Sequence, residues 1–176
     1  MQRTLGVIAG LTLAAAAAAP AAAQGAADAR PVRFGVQGGI SLPTGDDNEG
    51  VNTGFTVGGL LDFQPAALPF GIRVNADYHR FGIEDVDNKL SVLAVTGNAK
   101  YDFTTASGIS PYVIGGVGMY RSSISDCDEC ESDTEFGFNF GGGLNFNLGT
   151  LDTFAEVRYN LVDGSGIVPV VFGIRF

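Results

Sequence analysis

The sequence predicts an all-β fold: an eight-stranded antiparallel up-and-down barrel that follows a cleaved N-terminal segment. From Val32 onward, apolar and polar residues alternate with a period of two, in stretches of roughly ten residues separated by polar or glycine-rich breaks. No stretch of helical length carries the period of an amphipathic helix. The chain has 26 glycines without a collagen repeat, which favours closely packed, strongly bent strands.

The first 23 residues have the features of an export signal rather than of a folded element. Arg3 supplies a positive start, and an uncharged apolar stretch runs from Leu5 to Ala19 before a proline interrupts it. Small residues follow, and we expect cleavage between Ala23 and Gln24. A permanent membrane helix is the alternative, but a run made mostly of alanine anchors weakly. The predicted organisation is a signal peptide over residues 1–23, a short periplasmic segment over 24–31 and a barrel over 32–176.

The first four strands follow the alternation with one exception. We predict them over residues 32–42, 54–63, 70–81 and 90–103, and Leu60 in the second strand breaks the pattern. The opposite faces carry mainly glycine, amide, hydroxyl and charged side chains, so each strand has one apolar and one polar side. The apolar faces carry Val32, Phe34, Val36, Ile40 and Leu42; Phe55, Val57, Leu61 and Phe63; Phe70, Ile72, Val74, Ala76 and Tyr78; and Leu93, Val95, Ala99, Tyr101 and Phe103.

The fifth strand, predicted over residues 111–121, is apolar on both faces. A strand of this kind has no polar face that would identify the side toward the interior, so the alternation does not determine its register. We expect Tyr112 and Tyr120 to lie on the same side as the apolar faces of the other strands.

The last three strands include the clearest alternation in the chain. We predict them over residues 136–148, 151–161 and 167–176, with a tight turn near Gly149 and a loop over 163–166. Glycine and asparagine fill the second face of the sixth strand. The apolar faces carry Phe136, Phe138, Phe140, Leu144, Phe146 and Leu148; Ala155, Val157, Tyr159 and Leu161; and Val168, Val170, Phe172, Ile174 and Phe176.

The apolar faces are predicted to meet lipid, which makes the barrel transmembrane and its lumen polar. Strands of 10 to 14 residues are long for a soluble sheet and suit a tilted membrane crossing. Aromatic residues gather near the strand ends, as an interfacial belt requires. Short uncharged turns at 64–69, 104–110 and Gly149 oppose longer acidic connections at 43–53 and 122–135. The alternative, a soluble periplasmic barrel that binds an apolar ligand, requires the apolar faces inside.

Three segments resemble small outer-membrane barrels of the OmpA-like, OmpX-like and opacity-type families: Pro111–Gly118, Phe154–Asn160 and Val170–Phe176. The resemblance covers residues 32–176 and implies a Gram-negative outer membrane, with lipid and lipopolysaccharide around the barrel. It also implies insertion by the barrel-assembly machinery after passage with periplasmic chaperones. The C-terminal alternation is similar to the family's assembly signal, and its residues are Phe172, Ile174 and Phe176. Because the sequence ends with the barrel, we expect no peptidoglycan-binding domain and no wall-tethering role.

The polar faces bring ten titratable side chains into one lumen. Five permanent cations and four carboxylates nearly balance, as a paired interior requires, because an unpaired buried charge costs several kcal/mol. Strand direction brings Arg33, Asp62 and Arg73 to similar depth, and we predict a bridge among them. We expect the set to plug the narrow bore, and a narrow ion-conducting pore is the alternative. The ten residues are Arg33, Asp62, Arg73, Asp77, His79, Lys100, Asp102, Glu156, Arg158 and Arg175.

The sequence indicates no catalytic residue, cofactor or metal site. His79 is the single histidine, it faces inward by the alternation, and no serine lies beside it in sequence. Some barrels of the resembled families modify lipid with a serine activated by a histidine, so a lipid-modifying enzyme with Ser122 or Ser123 is an alternative. We expect a non-enzymatic barrel with a structural or surface role. The resemblance implies envelope integrity, adhesion or immune evasion, through loops that meet an unidentified external partner.

The net charge of −9 and the absence of a basic stripe argue against nucleic acid as a partner. The acidic residues cluster in the connections at 46–49, 84–87 and 126–135. These clusters lack the spacing of an EF-hand, so we expect solvated loop tips. A looser alternative is that the loops share Mg²⁺ or Ca²⁺ with neighbouring lipopolysaccharide.

The only two cysteines, Cys127 and Cys130, lie within the last acidic cluster. Carboxylate neighbours disfavour the thiolate that a redox motif needs, and a zinc site requires further ligands. In an exported chain we therefore expect a short disulfide that braces an external loop.

Overall fold

The computed structural model describes residues 32–45, 50–83, 89–105, 108–124 and 132–176. The predicted signal peptide, the segment over residues 24–31 and the cysteine pair Cys127 and Cys130 lie outside these ranges. Among the described residues, no helix is long and apolar enough to cross a bilayer.

Eight antiparallel strands form one closed barrel, which confirms the predicted fold class. Each strand pairs with its neighbours in sequence, and the first strand pairs with the last. We call the rim where the first strand begins and the last one ends the terminal rim, and the opposite rim the loop rim. The strands are β1 (Val32–Thr44), β2 (Gly54–Phe63), β3 (Gly71–Gly82), β4 (Lys89–Asp102), β5 (Ile109–Ile124), β6 (Asp133–Leu148), β7 (Leu151–Val162) and β8 (Ser165–Arg175).

Strands β5 and β6 extend further toward the loop rim than the sequence predicted. Arg121 pairs with Thr134, and Ser122 pairs with Asp133, although these side chains are polar or charged. Main-chain pairing does not depend on side-chain polarity, so the ladder continues past the point where the apolar alternation stops.

The apolar side chains point away from the lumen, as predicted. Phe34, Phe138 and Phe140 are 63%, 60% and 64% exposed, and the apolar faces of the other strands are exposed in the same way. An apolar wall around a whole barrel far exceeds the patches found on soluble proteins. The wall is therefore suited to lipid, and the alternative of a soluble barrel with an apolar interior is wrong.

The structure corrects the expected orientation of Tyr112 and Tyr120. Both side chains are buried inside the barrel, and Val113 and Met119 of the same strand face outward instead. The interior offers Tyr112 a polar partner that lipid does not, because its hydroxyl donates a hydrogen bond of 2.6 Å to Glu156 Oε2, whereas Tyr120 packs in an apolar cluster.

Glycines on the lumen face leave room for large interior side chains. A Cβ at Gly143 would stand 2.5 Å from the hydroxyl oxygen of Tyr112, its partner across the ladder. A Cβ at Gly173 would stand 2.2 Å from Cζ of Phe154, again its ladder partner. Leu60, which breaks the sequence pattern, also faces the lumen and packs in an apolar cluster there.

Candidate functional site

The lumen-facing positions of six strands hold the ten titratable residues that the sequence placed there. Each residue lies between chain neighbours that face outward, so the alternation alone turns it inward. Arg33 and Asp102 lie at the terminal rim and keep contact with solvent. The other eight are buried: Asp62, Arg73, Asp77, His79, Lys100, Glu156, Arg158 and Arg175.

Arg73 lies at the centre of this group. Its Nε is 2.5 Å from Asp62 Oδ1 and its Nη2 is 2.8 Å from Asp62 Oδ2, which is a bidentate pair. Its Nη1 donates to Glu156 Oε2 at 2.8 Å. Because β3 and β7 lie four strands apart in a barrel of eight, the contact between Arg73 and Glu156 crosses the bore.

A second branch continues from Glu156 toward the loop rim. Arg158 Nε lies 2.7 Å from Glu156 Oε1 in an ion contact that lacks hydrogen-bond alignment. Arg158 Nη2 donates to Asp77 Oδ2 at 3.0 Å, and Gln37 Nε2 donates to Asp77 Oδ1 at 2.6 Å. The pairs therefore form one continuous network along and across the lumen.

The predicted bridge among Arg33, Asp62 and Arg73 is half wrong. Asp62 does pair with Arg73, but Arg33 pairs with Asp152 instead. Arg175 takes the expected place of Arg33, with Nη1 at 3.2 Å from Asp62 Oδ2 and Nη2 at 2.7 Å from Asp152 Oδ1. The reason is the closure of the barrel, which brings β8 against β1 and lets the more deeply buried Arg175 reach Asp62 first.

Asp152 was missing from the predicted set, and it completes the charge balance. Added to the four predicted carboxylates, it gives the network five carboxylates for the five cations. The alternation could have predicted its inward orientation, because Asp152 lies two residues before the inward-facing Phe154 on the same strand.

Two aromatic rings, those of Tyr112 and Phe154, fill the space between the ion pairs, and the sequence did not predict either of them there. The ring of Tyr112 lies 4.5 Å from Lys100 Nζ and 5.6 Å from the Arg73 guanidinium carbon. Phe154 lies 5.0 Å from the guanidinium carbon of Arg73 and 5.3 Å from that of Arg175. Arg73, Lys100 and Arg175 therefore each form a cation–π contact in addition to their ion pair with a carboxylate.

A serine does contact the single histidine, but not one of the serines considered from the sequence. Ser41 Oγ lies 2.8 Å from His79 Nδ1, and the ring of His79 stacks on Phe81. Hydrolases use such a pair to activate a nucleophile. Here Ser41 is 0% exposed and His79 is 1% exposed, so neither lipid nor solvent reaches the hydroxyl. The contact joins β1 to β3 through the lumen.

As a whole, the network can close the bore. Arg73, Glu156 and Arg158 are almost wholly buried and reach across the lumen from opposite walls. Within the part of the chain that the structure describes, no three His, Cys, Asp or Glu side chains are placed to hold a metal ion.

The residues of the predicted assembly signal lie on the outward face of β8. Phe172 and Phe176 are exposed, and Ile174 lies between them on the same face. The backbone N–H of Phe176 donates to the carbonyl oxygen of Phe34 at 2.8 Å, which ties the chain end to β1. Its role in assembly stays a prediction.

Comparison with known proteins matches residues 9–173 to the family model described as the outer membrane protein beta-barrel domain. Among solved structures, Neisserial surface protein A is similar with a TM-score of 0.66 and 18% identity over 82% of this chain and 96% of that one. Ail, the attachment invasion locus protein of Yersinia pestis, is similar with a TM-score of 0.57 and 19% identity over 82% and 97% of the two chains. The N-terminal barrel domain of Pseudomonas aeruginosa OprF is similar with a TM-score of 0.51 and 16% identity over 82% and 97%. No curated protein sequence matches at a significant level.

Proposed function

The chain belongs to the family of outer membrane protein beta-barrel domains and lies in the bacterial outer membrane, and we propose that it acts there as a structural and surface-interaction barrel with a closed lumen. In such barrels short turns face the periplasm and longer loops face outward, so the terminal rim is periplasmic and the loop rim is external. The observation that carries the proposal is the buried ion network between opposite walls. A bore of this width, crossed by Arg73 and Glu156, has little room for solvent.

The proposal includes no catalytic step. The one serine–histidine contact among the described residues is sealed inside the barrel, which supports a structural role for Ser41 and His79. The names of two similar proteins, a surface protein and an attachment invasion locus protein, favour a role at the cell surface. Ail has been crystallised with a heparin analogue, sucrose octasulfate. Asp133, Glu135 and Asp163 lie at the described loop rim of this chain, and these three carboxylates do not favour a sulfated ligand at their own part of the rim.

We expect the barrel to conduct no ions. Phospholipid vesicles that contain it should leak potassium no faster than empty vesicles, because the Arg73–Glu156 pair crosses the bore between opposite walls. Raising the salt concentration should not change this result, since buried pairs are screened much less than exposed ones. The measurement is ion flux from vesicles, with insertion verified by the heat-dependent shift of the folded band on a gel. Discrete conductance steps in a planar bilayer would overturn the closed-lumen proposal.

The outer wall near the loop rim supports a second part of the proposal, contact with lipopolysaccharide. Arg80 of β3, Lys89 of β4 and Arg121 of β5 occupy outward positions on adjacent strands, within a few residues of the same level. None of the three forms a salt bridge with a carboxylate among the described residues. Every other described cation belongs to the lumen network. Cations at this depth of the outer leaflet suit the phosphate groups of lipid A.

Replacing Arg80, Lys89 and Arg121 together by glutamine should weaken binding of lipid A strongly. Each cation near a charged membrane surface contributes about 1 kcal/mol, so the expected loss is about 100-fold at low salt. The measurement is binding of phosphorylated lipid A to the barrel in nanodiscs, with dephosphorylated lipid A as the second probe. Arg33→Gln, at the periplasmic rim, is the control and should bind like wild type. Equal binding by the triple variant would contradict this part of the proposal.

A further inference from the structure

Toward the loop rim, the lumen contains an apolar cluster that adjoins the ion network. From the level of Asp77 and His79 up to the loop rim, several inward positions carry buried side chains that pack on one another, with Val51 and Leu90 against them. These side chains do not face the bilayer, so contact with lipid does not explain their apolar character. The packed side chains are Phe81, Val92, Ala94, Tyr120, Val162 and Ile167.

These side chains leave a cavity of about 170 Å³, which we call the loop-rim cavity. Its walls are Pro43, Val51, Phe81, Leu90, Val92, Tyr120, Val162 and Ile167, and Ser122, Glu135 and Ser165 complete its lining. Engineered apolar cavities of about 150 Å³ stay dry and bind benzene. The loop-rim cavity is therefore large enough for one aromatic ring or a short alkyl group.

The polar part of the lining is negative. Glu135 lines the cavity, and Asp133 and Asp163 lie close enough to interact with its carboxylate. None of the three forms a salt bridge with a cation among the described residues. An apolar pocket beside carboxyl groups that form no salt bridge within the described part of the chain is complementary to a molecule with an apolar body and one positive charge.

We propose that the loop-rim cavity binds a small cationic amphiphile from the external side: its ring or short alkyl part occupies the apolar walls, and its ammonium group lies beside Glu135. The site is separate from the lumen network and goes beyond the structural and surface role proposed above. The walls supply affinity by removing apolar surface from water, and Glu135 supplies the preference for positive charge.

The test is a titration of the full barrel in nanodiscs with benzylamine, followed through the ¹³C methyl resonances of valine and isoleucine. The methyl groups of Val92, Val162 and Ile167 should shift and saturate in the millimolar range, as expected for so small a ligand. Those of Val95, on the lipid face of β4, should not shift. Benzoate, which has the same ring and the opposite charge, should bind at least about tenfold more weakly, a factor that corresponds to about 1.4 kcal/mol.

Two matched substitutions in β4 distinguish binding of the probe in the cavity from its partition into the membrane. Val92→Phe fills the cavity and should abolish the saturable shifts at Val162 and Ile167, whereas Val95→Phe, three residues away on the lipid face, should leave them unchanged. Val162→Phe is a second filling variant in case Val92→Phe does not fold. Glu135→Gln should bring the affinities for benzylamine and benzoate close together. The proposal would be overturned if wild type bound the two probes equally or showed no saturable shift. It would also be overturned if both filling variants bound benzylamine as wild type does.

Discussion

Replacing Arg73 by methionine should lower the free energy of unfolding by about 3–5 kcal/mol, the usual cost of removing one partner from a buried ion pair. Methionine keeps most of the length of the side chain but removes its charge and its donors. Asp62 then keeps only the 3.2 Å contact with Arg175, and Glu156 loses a 2.8 Å hydrogen bond, while both stay buried. The loss therefore comes mainly from two buried carboxylates that keep part of their partners but lose the cation they share.

The measurement is urea unfolding of the barrel in phospholipid vesicles, followed by the gel shift between folded and unfolded bands. Arg33→Met is the matched control: its side chain is 40% exposed and pairs with Asp152 alone, so it should cost at most about 1 kcal/mol. Adding Asp62→Asn and Glu156→Gln to Arg73→Met should recover part of the loss, because fewer negative charges then stay buried where the cation was removed. Equal costs for Arg73→Met and Arg33→Met would contradict the central place of Arg73.

Gly173→Ala should destabilise the barrel by about 1–3 kcal/mol, the range for overpacking a well-filled interior. The new methyl group would stand 2.2 Å from Phe154 Cζ and 2.9 Å from the carbonyl oxygen of Val36. Phe154 cannot simply turn away, because the guanidinium groups of Arg73 and Arg175 lie over its ring. The strain should therefore spread into the ion network.

The control for this prediction is Gly97→Ala, on the lipid face of β4, where an added Cβ meets nothing within 4 Å. It should be neutral or slightly stabilising, because alanine loses less backbone freedom on folding than glycine. Combining Gly173→Ala with Phe154→Leu should cost less than the sum of the two single changes. The same unfolding assay reports all four variants, and additive costs would show that the ring is not what the methyl group meets.

Much of the architecture was determined by the sequence itself, because the period of a strand is two and each residue's face follows from its neighbours. The apolar faces of β6 and β8 were predicted residue by residue, and the inward places of Arg73, Asp77 and Glu156 followed from the same alternation. Strand ends were less certain where polar pairs such as Ser122 and Asp133 extend the ladder beyond the apolar pattern.

The pairing of side chains inside the lumen was decided only by the tertiary structure. Tyr112 turns inward because Gly143 leaves space opposite it and Glu156 accepts a hydrogen bond from its hydroxyl group. Arg175 displaces Arg33 from Asp62 because barrel closure joins the two ends of the chain. Alternation along one strand tells which side a residue faces. It does not tell which of several inward side chains, on strands far apart in sequence, reaches a given carboxylate, since that depends on barrel radius, strand stagger and side-chain volume.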